Sequence, residues 1–289
     1  MKPASFAYVR PNSLDEALQL LSDTALDSQL LAGGQSMMPM LNLRMARPDR
    51  LIDLSHISDL RGVARLEQGL EIGAMTRYAD LAADAELAGH FPLFRAVLPH
   101  IAHIAIRNRG TLGGSLALAD PAAEMPAVMQ ALDAVIICQS QSGRRRIAAA
   151  EFFLDLYETA LQDGEMIRSV FLPWQAAPQL FSFAEIARRH GDYAEAGLVL
   201  RADNRQLDNL RLVWFGLESS QRRDTVLETG LAGQPAETAA EIAASQDMQH
   251  LEIAAEGDRA VGYKTQLARS LLKRGLAELA EKSREKAKK

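Results

Sequence analysis

Cysteine is almost absent from this sequence, since Cys138 is the only one among 289 residues. One thiol excludes an internal disulfide framework and suits a reducing compartment. It also excludes an iron–sulfur cluster held by this chain alone, because such clusters need about four thiolate ligands. Cys138 follows an apolar run that begins at Ala134, so we predict a buried strand thiol that acts as a small hydrophobic group.

Long hydrophobic runs and an excess of basic charge are also missing. No apolar stretch approaches the roughly 20 residues that a membrane-spanning helix needs, and the first residues lack the apolar core of a secretory signal. The net charge of −5 gives no reason to expect a nucleic acid or an anionic membrane as partner. We therefore expect a cytoplasmic protein.

Several well-known motifs of catalysis and nucleotide binding are lacking. The sequence contains no Gly-x-Gly, which excludes the Rossmann fingerprint, and it has no Walker A loop and no GxSxG elbow. His100 and His103 are close enough in sequence to share a helix face, but no HExxH or cysteine cluster accompanies them. We expect structural or surface roles for the six histidines, and only His190 is a candidate for a functional role.

The length of the chain predicts about two domains. A segment at 173–178 with a proline at each end resembles a linker, and the nearly all-charged end of the chain is expected to be frayed. The predicted organisation is a first domain at 1–176 with lobes at about 1–55 and 56–176, a second domain at 177–280, and a charged tail at 281–289.

Local patterns predict the elements of both domains. Ser13 and Glu16 form a capping box for a helix through about Leu21, and Thr76 is expected to cap a helix through Leu81. A hairpin is expected around the turn at 140–143. The remaining predictions are strands near 29–32, 50–54, 166–172, 181–187, 196–201 and 210–216, and helices near 37–43, 91–98, 126–132, 225–231, 237–245 and 264–279.

Two Gly-Gly loops are the most informative local feature. Gly33 and Gly34 follow a predicted strand and precede a helix, and Gly113 and Gly114 follow a polar loop. Glycine permits positive φ and leaves no Cβ in the way, so paired glycines can build a nest of backbone N–H donors for a phosphate. Two such nests could each hold one phosphate of a dinucleotide, although a single Gly-Gly pair is more often an ordinary turn.

Arginines near these loops and elsewhere allow more than one interpretation. Arg107 and Arg109 could favour an anionic cofactor, or they could pair with carboxylates and hold the loop. The three consecutive arginines Arg144, Arg145 and Arg146 could form a docking patch, or they could lie on the solvated end of a hairpin.

Four segments together resemble one known family. They lie in the family's order along nearly the whole chain, and as a set they are specific: 31–36 with 39–44, 106–115 with 119–124, 164–167, and 188–194. These segments are similar to the FAD-binding medium subunits of molybdenum hydroxylases, the relatives of carbon monoxide dehydrogenase and xanthine dehydrogenase. The resemblance implies an α+β fold, with a two-lobed vanillyl-alcohol-oxidase-like (PCMH-type) FAD-binding domain and a smaller C-terminal α+β domain of antiparallel sheet and helices.

The resemblance also implies which residues contact FAD. Glu124 would bind the ribityl or ribose hydroxyls, Met166 and Ile167 would lie along the adenine or the flavin, and Tyr193 would shield one face of the isoalloxazine ring. The pyrophosphate and the nearby ribityl chain would be held by Ala32, Gly33, Gly34, Gln35, Ser36, Met37, Thr111, Gly113, Gly114 and Ser115. The chain departs from the family at Leu118, where many relatives have histidine, and at Glu124, where many have aspartate.

The function implied by the resemblance is electron transfer within a larger oxidoreductase. A large molybdopterin subunit would oxidise the substrate, a small subunit would carry 2Fe–2S clusters, and FAD on this chain would pass electrons to an external acceptor, in a dimer of heterotrimers. The substrate would be an N-heteroaromatic compound, an aldehyde or carbon monoxide, and Leu118 favours an organic one. The alternatives are a stand-alone FAD-dependent oxidase of the same fold and a scaffold in which the glycine loops are only turns.

Overall fold

A small parallel sheet begins the fold. The structure, a computed structural model, describes residues 2–175, 180–244, 247–255 and 257–286. Three strands pair in the order β1-β3-β2: β1 (Ala7–Val9), β2 (Ser28–Leu31) and β3 (Arg50–Asp53). Two helices connect them, α1 (Leu14–Leu21) and α2 (Met37–Asn42).

Helix α1 begins as its sequence predicts. The Ser13 hydroxyl accepts a hydrogen bond from the Glu16 amide at 3.2 Å, and the Glu16 carboxylate accepts one from the Asn12 amide at 2.8 Å. These bonds satisfy donors that the first turn of a helix otherwise leaves without partners. The buried face of α1 packs, with Ile52 and Met166, into a core between this small sheet and the next part of the chain.

The second lobe is built on a five-stranded antiparallel sheet. Its strand order is β4-β5-β10-β6-β7, with a separate two-stranded hairpin of β8 and β9. The strands are β4 (Val63–Leu66), β5 (Gly69–Gly73), β6 (Val135–Ser140), β7 (Gly143–Ala148), β8 (Phe153–Asp155), β9 (Glu158–Thr159) and β10 (Met166–Pro173). The helices are α3 (Tyr78–Ala83), α4 (Ala85–His90), α5 (Leu93–Val97), α6 (Ile104–Arg107), α7 (Leu112–Leu118), α8 (Glu124–Ala131) and α9 (Ala149–Phe152).

The C-terminal part is an antiparallel sheet with helices on one face. Its strands pair in sequence order: β11 (Leu180–Ala187), β12 (Ala194–Ala202), β13 (Arg211–Phe215) and β14 (Arg222–Arg223). The helices are α10 (Thr225–Leu231), α11 (Ala236–Ala244) and α12 (Asp258–Lys286). Side chains alternate along β11, so Leu180 and Ile186 face α12 while Phe181 and Phe183 face the second lobe.

Helix α8 joins the second lobe to the C-terminal sheet. Every residue of α8 is buried, and it packs against β12 and β13. The largest hydrophobic core therefore includes residues from both parts, such as Leu116 and Phe215. The described part of the chain contains no helix long and apolar enough to cross a membrane.

Two local predictions are wrong. Thr76 does not cap α3, whose N-cap is Arg77, because the Thr76 hydroxyl bonds both the amide and the carbonyl of Gly62. The charged end of the chain is not frayed from Glu281 onward. Helix α12 continues to Lys286, and Lys282 holds it by bonding Glu278 at 2.6 Å and the carbonyl of Phe181 at 2.9 Å.

Parts of three predictions lie outside the described residues. They are positions 176–178 of the expected linker, the last residue of the helix expected at 237–245, and positions 287–289 of the tail.

Candidate functional site

The two glycine loops lie against each other, although they are far apart in the sequence. A Cβ atom on Gly33 would stand 2.3 Å from the carbonyl oxygen of Arg109, and one on Gly114 would stand 3.2 Å from the Cβ of Ala32. Only glycine allows this approach of the two backbones at Gly33. We call residues 32–36 and 109–115 together the loop junction.

The first loop offers backbone donors at the junction. Gly34 has a φ of +74°, and the Gln35 side-chain amide donates to the Gly33 carbonyl at 2.8 Å. Within the described chain, the amides of Gly33, Gly34, Gln35 and Ser36 donate to no other group. The loop is half-buried, so these N–H groups are the ready donors that an anionic ligand needs.

The second loop differs from the first, because its amides are not free as they are in the first loop. Its amides already donate within the chain: Leu112 to the Thr76 carbonyl, Gly113 to the Ala74 carbonyl, and Gly114 and Ser115 to Thr111. A Cβ on Gly113 would stand 2.5 Å from the Cβ of Ala74. This loop is therefore a packed helix start with satisfied amides, in which Thr111 is buried and Ser115 is half-buried.

A buried glutamate lies beside the second loop. Tyr78 is buried, hydrogen-bonds Ser115 and has a raised pKa, mainly through burial and also through the charge of Glu124. Glu124 is the first residue of α8, and burial raises the pKa of its carboxyl to about 7, helped by the charges of Glu185 and Asp120. We call Asp120, Glu124 and Glu185 the carboxyl cluster.

Sequence reasoning missed Glu185 and its partner His100. The Nδ1 atom of His100 lies 2.9 Å from Oε1 of Glu185, whose side chain is 5% exposed. Burial lowers the pKa of His100 and raises that of Glu185 to about 7. A charged residue on the otherwise apolar face of Phe181 and Phe183 was the available signal, because a carboxylate is rarely buried without a purpose.

Tyr193 lies on the loop between β11 and β12, next to the carboxyl cluster. Its ring is mostly exposed, while partial burial of the phenol and the charges of Asp120 and Glu124 raise its pKa. The His190 ring lies 5.3 Å from the His100 ring. Tyr193 therefore lies near enough to Glu124 for their charges to interact, and Tyr78 lies between Glu124 and Ser115 of the second loop.

Met166 and Ile167 are less accessible than the other expected contacts. Both are buried in β10, Met166 in the core that also contacts Ala32 and Ile167 in the largest core. Ser36 precedes α2 without a side-chain capping bond, and Met37 is half-buried at the start of that helix. The loop junction thus has Met166 beneath it, and Ile167 points into a different core.

Two of the arginines make contacts that differ from the interpretations given to them above. Arg107 holds its loop by donating to the backbone carbonyls of Ile101 and Ala102 at 2.8 Å, and the described residues include no ion pair of Arg107. Arg145 binds both carboxylate oxygens of Glu165 at 2.7 Å. Cys138 is buried in β6, as predicted, and its pKa is raised to about 11 by burial.

This arrangement suits a ligand that combines an anion with hydroxyl groups. Free amides in the first loop can neutralise part of a phosphate charge, and the carboxyl cluster offers acceptors to hydroxyls. Among the described residues, no group of three histidine, cysteine or acidic side chains could hold a metal ion. The fold and the site define a two-lobed α+β protein that binds a dinucleotide-like cofactor.

Comparison with known families agrees with this description. The sequence matches the family described as "FAD binding domain in molybdopterin dehydrogenase" over residues 4–175. It also matches the family described as "CO dehydrogenase flavoprotein C-terminal domain" over residues 181–279.

Individual relatives cover most of the chain. It is 39% identical to the caffeine dehydrogenase subunit beta of a Pseudomonas species over 81% of each chain. It is 34% identical to the 6-hydroxypseudooxynicotine dehydrogenase complex subunit alpha of Paenarthrobacter nicotinovorans, over 98% of this chain and 97% of that protein. The structure of quinoline 2-oxidoreductase from Pseudomonas putida 86 superposes with a TM-score of 0.89 at 33% identity, over 98% of this chain and 99% of that one.

The chain belongs to the family of FAD-binding medium subunits of molybdopterin-dependent dehydrogenases. It is an oxidoreductase subunit with FAD as its cofactor, and the expected α+β fold is confirmed.

Proposed function

We propose that this chain passes electrons, through its bound FAD, from 2Fe–2S clusters on a small partner subunit to an external acceptor. A large molybdopterin subunit would oxidise the substrate. The observation that carries the proposal is the contact of the two glycine loops beside the carboxyl cluster, in a chain with one buried cysteine. FAD supplies the redox chemistry when bound, since it can take up and release electrons one or two at a time.

We propose specific tasks for the residues of the loop junction. The amides of Gly33, Gly34, Gln35 and Ser36 would hold the pyrophosphate, because they have no acceptor within the described chain. The other residues assigned to the pyrophosphate and the nearby ribityl chain would pack around these amides: Ala32, Met37, Thr111, Gly113, Gly114 and Ser115. Glu124 would accept hydrogen bonds from ribityl or ribose hydroxyls, and Tyr193 would cover one face of the flavin ring. Met166 would support the adenine or flavin side from beneath, whereas Ile167 would act there only through its packing in the largest core.

We propose an N-heteroaromatic compound as the substrate of the complex. Two of the relatives are named for such compounds, caffeine and quinoline, and Leu118 departs from the histidine that many relatives carry. Oxidation of an aldehyde or of carbon monoxide by the complex, in place of an N-heteroaromatic compound, would contradict this choice of substrate. We further propose a cytoplasmic dimer of heterotrimers, and domains that divide near residue 176, with lobes at about 1–55 and 56–176.

Purification of the tagged chain from cells that express the whole complex tests the proposal. About one FAD per chain, with molybdenum and iron in the same particle, is the expected result, and light scattering would give the mass of a dimer of heterotrimers. The complex should reduce an artificial acceptor with an N-heteroaromatic substrate. The isolated chain should not oxidise that substrate.

Two results would contradict the proposal. Substrate-dependent bleaching of the flavin in the isolated chain would favour a stand-alone oxidase. A purified chain without visible flavin absorption, even after FAD addition, would favour the scaffold.

A further inference from the structure

One oxygen of the Glu185 carboxyl is buried and has no hydrogen bond in the described part of the chain. Its Oε1 atom lies 2.9 Å from His100 Nδ1, while Oε2 is buried and has no partner among the described residues. The side chain is only 5% exposed. A buried carboxyl oxygen without a partner is costly, so native proteins seldom retain one unless a ligand or an ordered water completes it.

The position of Glu185 in the sheet determines which groups lie near this oxygen. Glu185 lies on the face of β11 that packs on the second lobe. The residue opposite it on β12 is Gly197, and the Phe215 ring occupies the space that a side chain there would take. The titratable groups that face it are His100, His190 and Glu124. On the other face of β11, Lys282 and Glu278 pair with each other.

We propose that Oε2 of Glu185 accepts a hydrogen bond from a hydroxyl of the FAD ribityl chain, beside the hydroxyl contact of Glu124. This inference rests on the proposed function. Two neighbouring carboxyls can accept from successive hydroxyls of a polyol, and an ionised carboxylate accepts more strongly than a neutral acid. Glu185 is in this role a binding residue, held in place by His100.

Binding of the hydroxyl should release a proton from Glu185. In the free protein, burial keeps most Glu185 carboxyls protonated at pH 6, since the pKa of this group is about 7. A hydroxyl donor favours the carboxylate, so the carboxylic acid loses its proton to the buffer as the new hydrogen bond forms. FAD affinity should therefore rise with pH by about tenfold between pH 6 and pH 8 through Glu185 alone.

Calorimetric titration of the apoprotein with FAD, in two buffers of different ionisation enthalpy, measures the protons released. At pH 6, Glu185→Gln should release about one proton fewer than the wild type. ADP, which lacks the ribityl chain, should show no difference between the two proteins. Glu218→Gln is the matched control, because Glu218 is also buried with a raised pKa, but its charged neighbours are Arg222 and Glu252. It should behave as the wild type does.

The outcomes separate this inference from the proposed function. Failure of the wild type to bind FAD would overturn the function itself. FAD binding with no proton release by the wild type, or with equal release by Glu185→Gln, would overturn only the role of Glu185. If the Gln variant does not fold, Glu185→Asp withdraws the carboxylate by one methylene, and an unchanged FAD affinity of that variant would overturn the role equally.

Discussion

The Cβ position of Gly33 lies 2.3 Å from the carbonyl oxygen of Arg109. This distance is far below van der Waals contact, so any side chain at position 33 would push the two glycine loops apart. Close packing of the two loops, as much as access for a phosphate, explains why glycine stands at this position.

Gly33→Ala should therefore lower the free energy of unfolding by about 1–3 kcal/mol and weaken FAD binding more than tenfold. Urea denaturation and quenching of flavin fluorescence would measure the two effects. Gly89→Ala is the matched control, because a Cβ at that position in α4 meets no atom within 4 Å. It should stabilise the chain by up to about 1 kcal/mol. Normal stability and FAD affinity in Gly33→Ala would refute the role of this contact.

The buried Glu124 makes the stability of the apoprotein depend on pH. Its folded pKa of about 7 lies above the ordinary value of 4.5, so the folded state holds this proton more tightly. Its contribution to stability is therefore lost as the pH rises from about 4.5 to about 7. Relative to that of the wild type, the unfolding free energy of Glu124→Gln should rise by on the order of 2 kcal/mol between pH 5 and pH 8.

Urea denaturation of the FAD-free proteins at both pH values would test this difference. Glu151→Gln, at an exposed position on α9, is the control. Its unfolding free energy should differ from that of the wild type by the same amount at both pH values. A difference for Glu124→Gln that stays constant or falls with pH would contradict the burial of an acid at this site.

Asp133 connects the second lobe to the C-terminal sheet by ion pairs. Its carboxylate lies 2.7 Å from Nε of Arg211 and 3.1 Å from Nη1 of Arg201. The Arg201 side chain is 4% exposed, so loss of the negative charge leaves a buried cation. Asp133→Asn should cost about 2–3 kcal/mol in unfolding free energy. Asparagine also suits the φ of +51° at this position.

Thermal and urea denaturation would measure the effect of Asp133→Asn. Glu86→Gln removes an exposed pair with Arg65 and should change stability by no more than about 0.5 kcal/mol. Equal effects of the two variants would show that Asp133 does not hold the two parts together.

Arg145 binds Glu165 with both arms of its guanidinium and also donates to the Ala160 carbonyl at 2.8 Å. Lysine cannot reproduce this planar fork, so Arg145→Lys should lose about 1 kcal/mol. The Arg145 hydrogen bond lowers the pKa of Glu165, and this stabilisation disappears as the pH falls through that folded pKa. The difference in unfolding free energy between Arg145→Lys and the wild type should therefore become smaller at acidic pH.

Denaturation curves at neutral and acidic pH would test this prediction. Arg144→Lys is the neighbouring control, because Arg144 is exposed and bonds only Gln139 at 3.3 Å among the described groups. If Arg145→Lys matches Arg144→Lys, the fork to Glu165 contributes nothing measurable.

Local patterns predicted most elements because their causes lie within a few residues. The Ser13 cap, the hairpin of β6 and β7 and the alternation along β11 follow from short-range chemistry. Thr76 was assigned wrongly because its hydroxyl had a better partner in Gly62, on a different turn. The end of α12 was missed because its stability comes from contacts with β11 that no local pattern contains.

The sequence by itself determined the family, the need for FAD and the absence of thiols for an iron–sulfur cluster, since these depend on motif order and composition. Only the tertiary structure decided that Gly33 touches Arg109 and that the amides of the second loop donate hydrogen bonds within the chain. It also decided that Glu185 and His100 meet beside Glu124. These facts depend on which distant segments the core brings together. Hydrophobic burial sets that arrangement for the chain as a whole, because it is non-directional and sums over many residues.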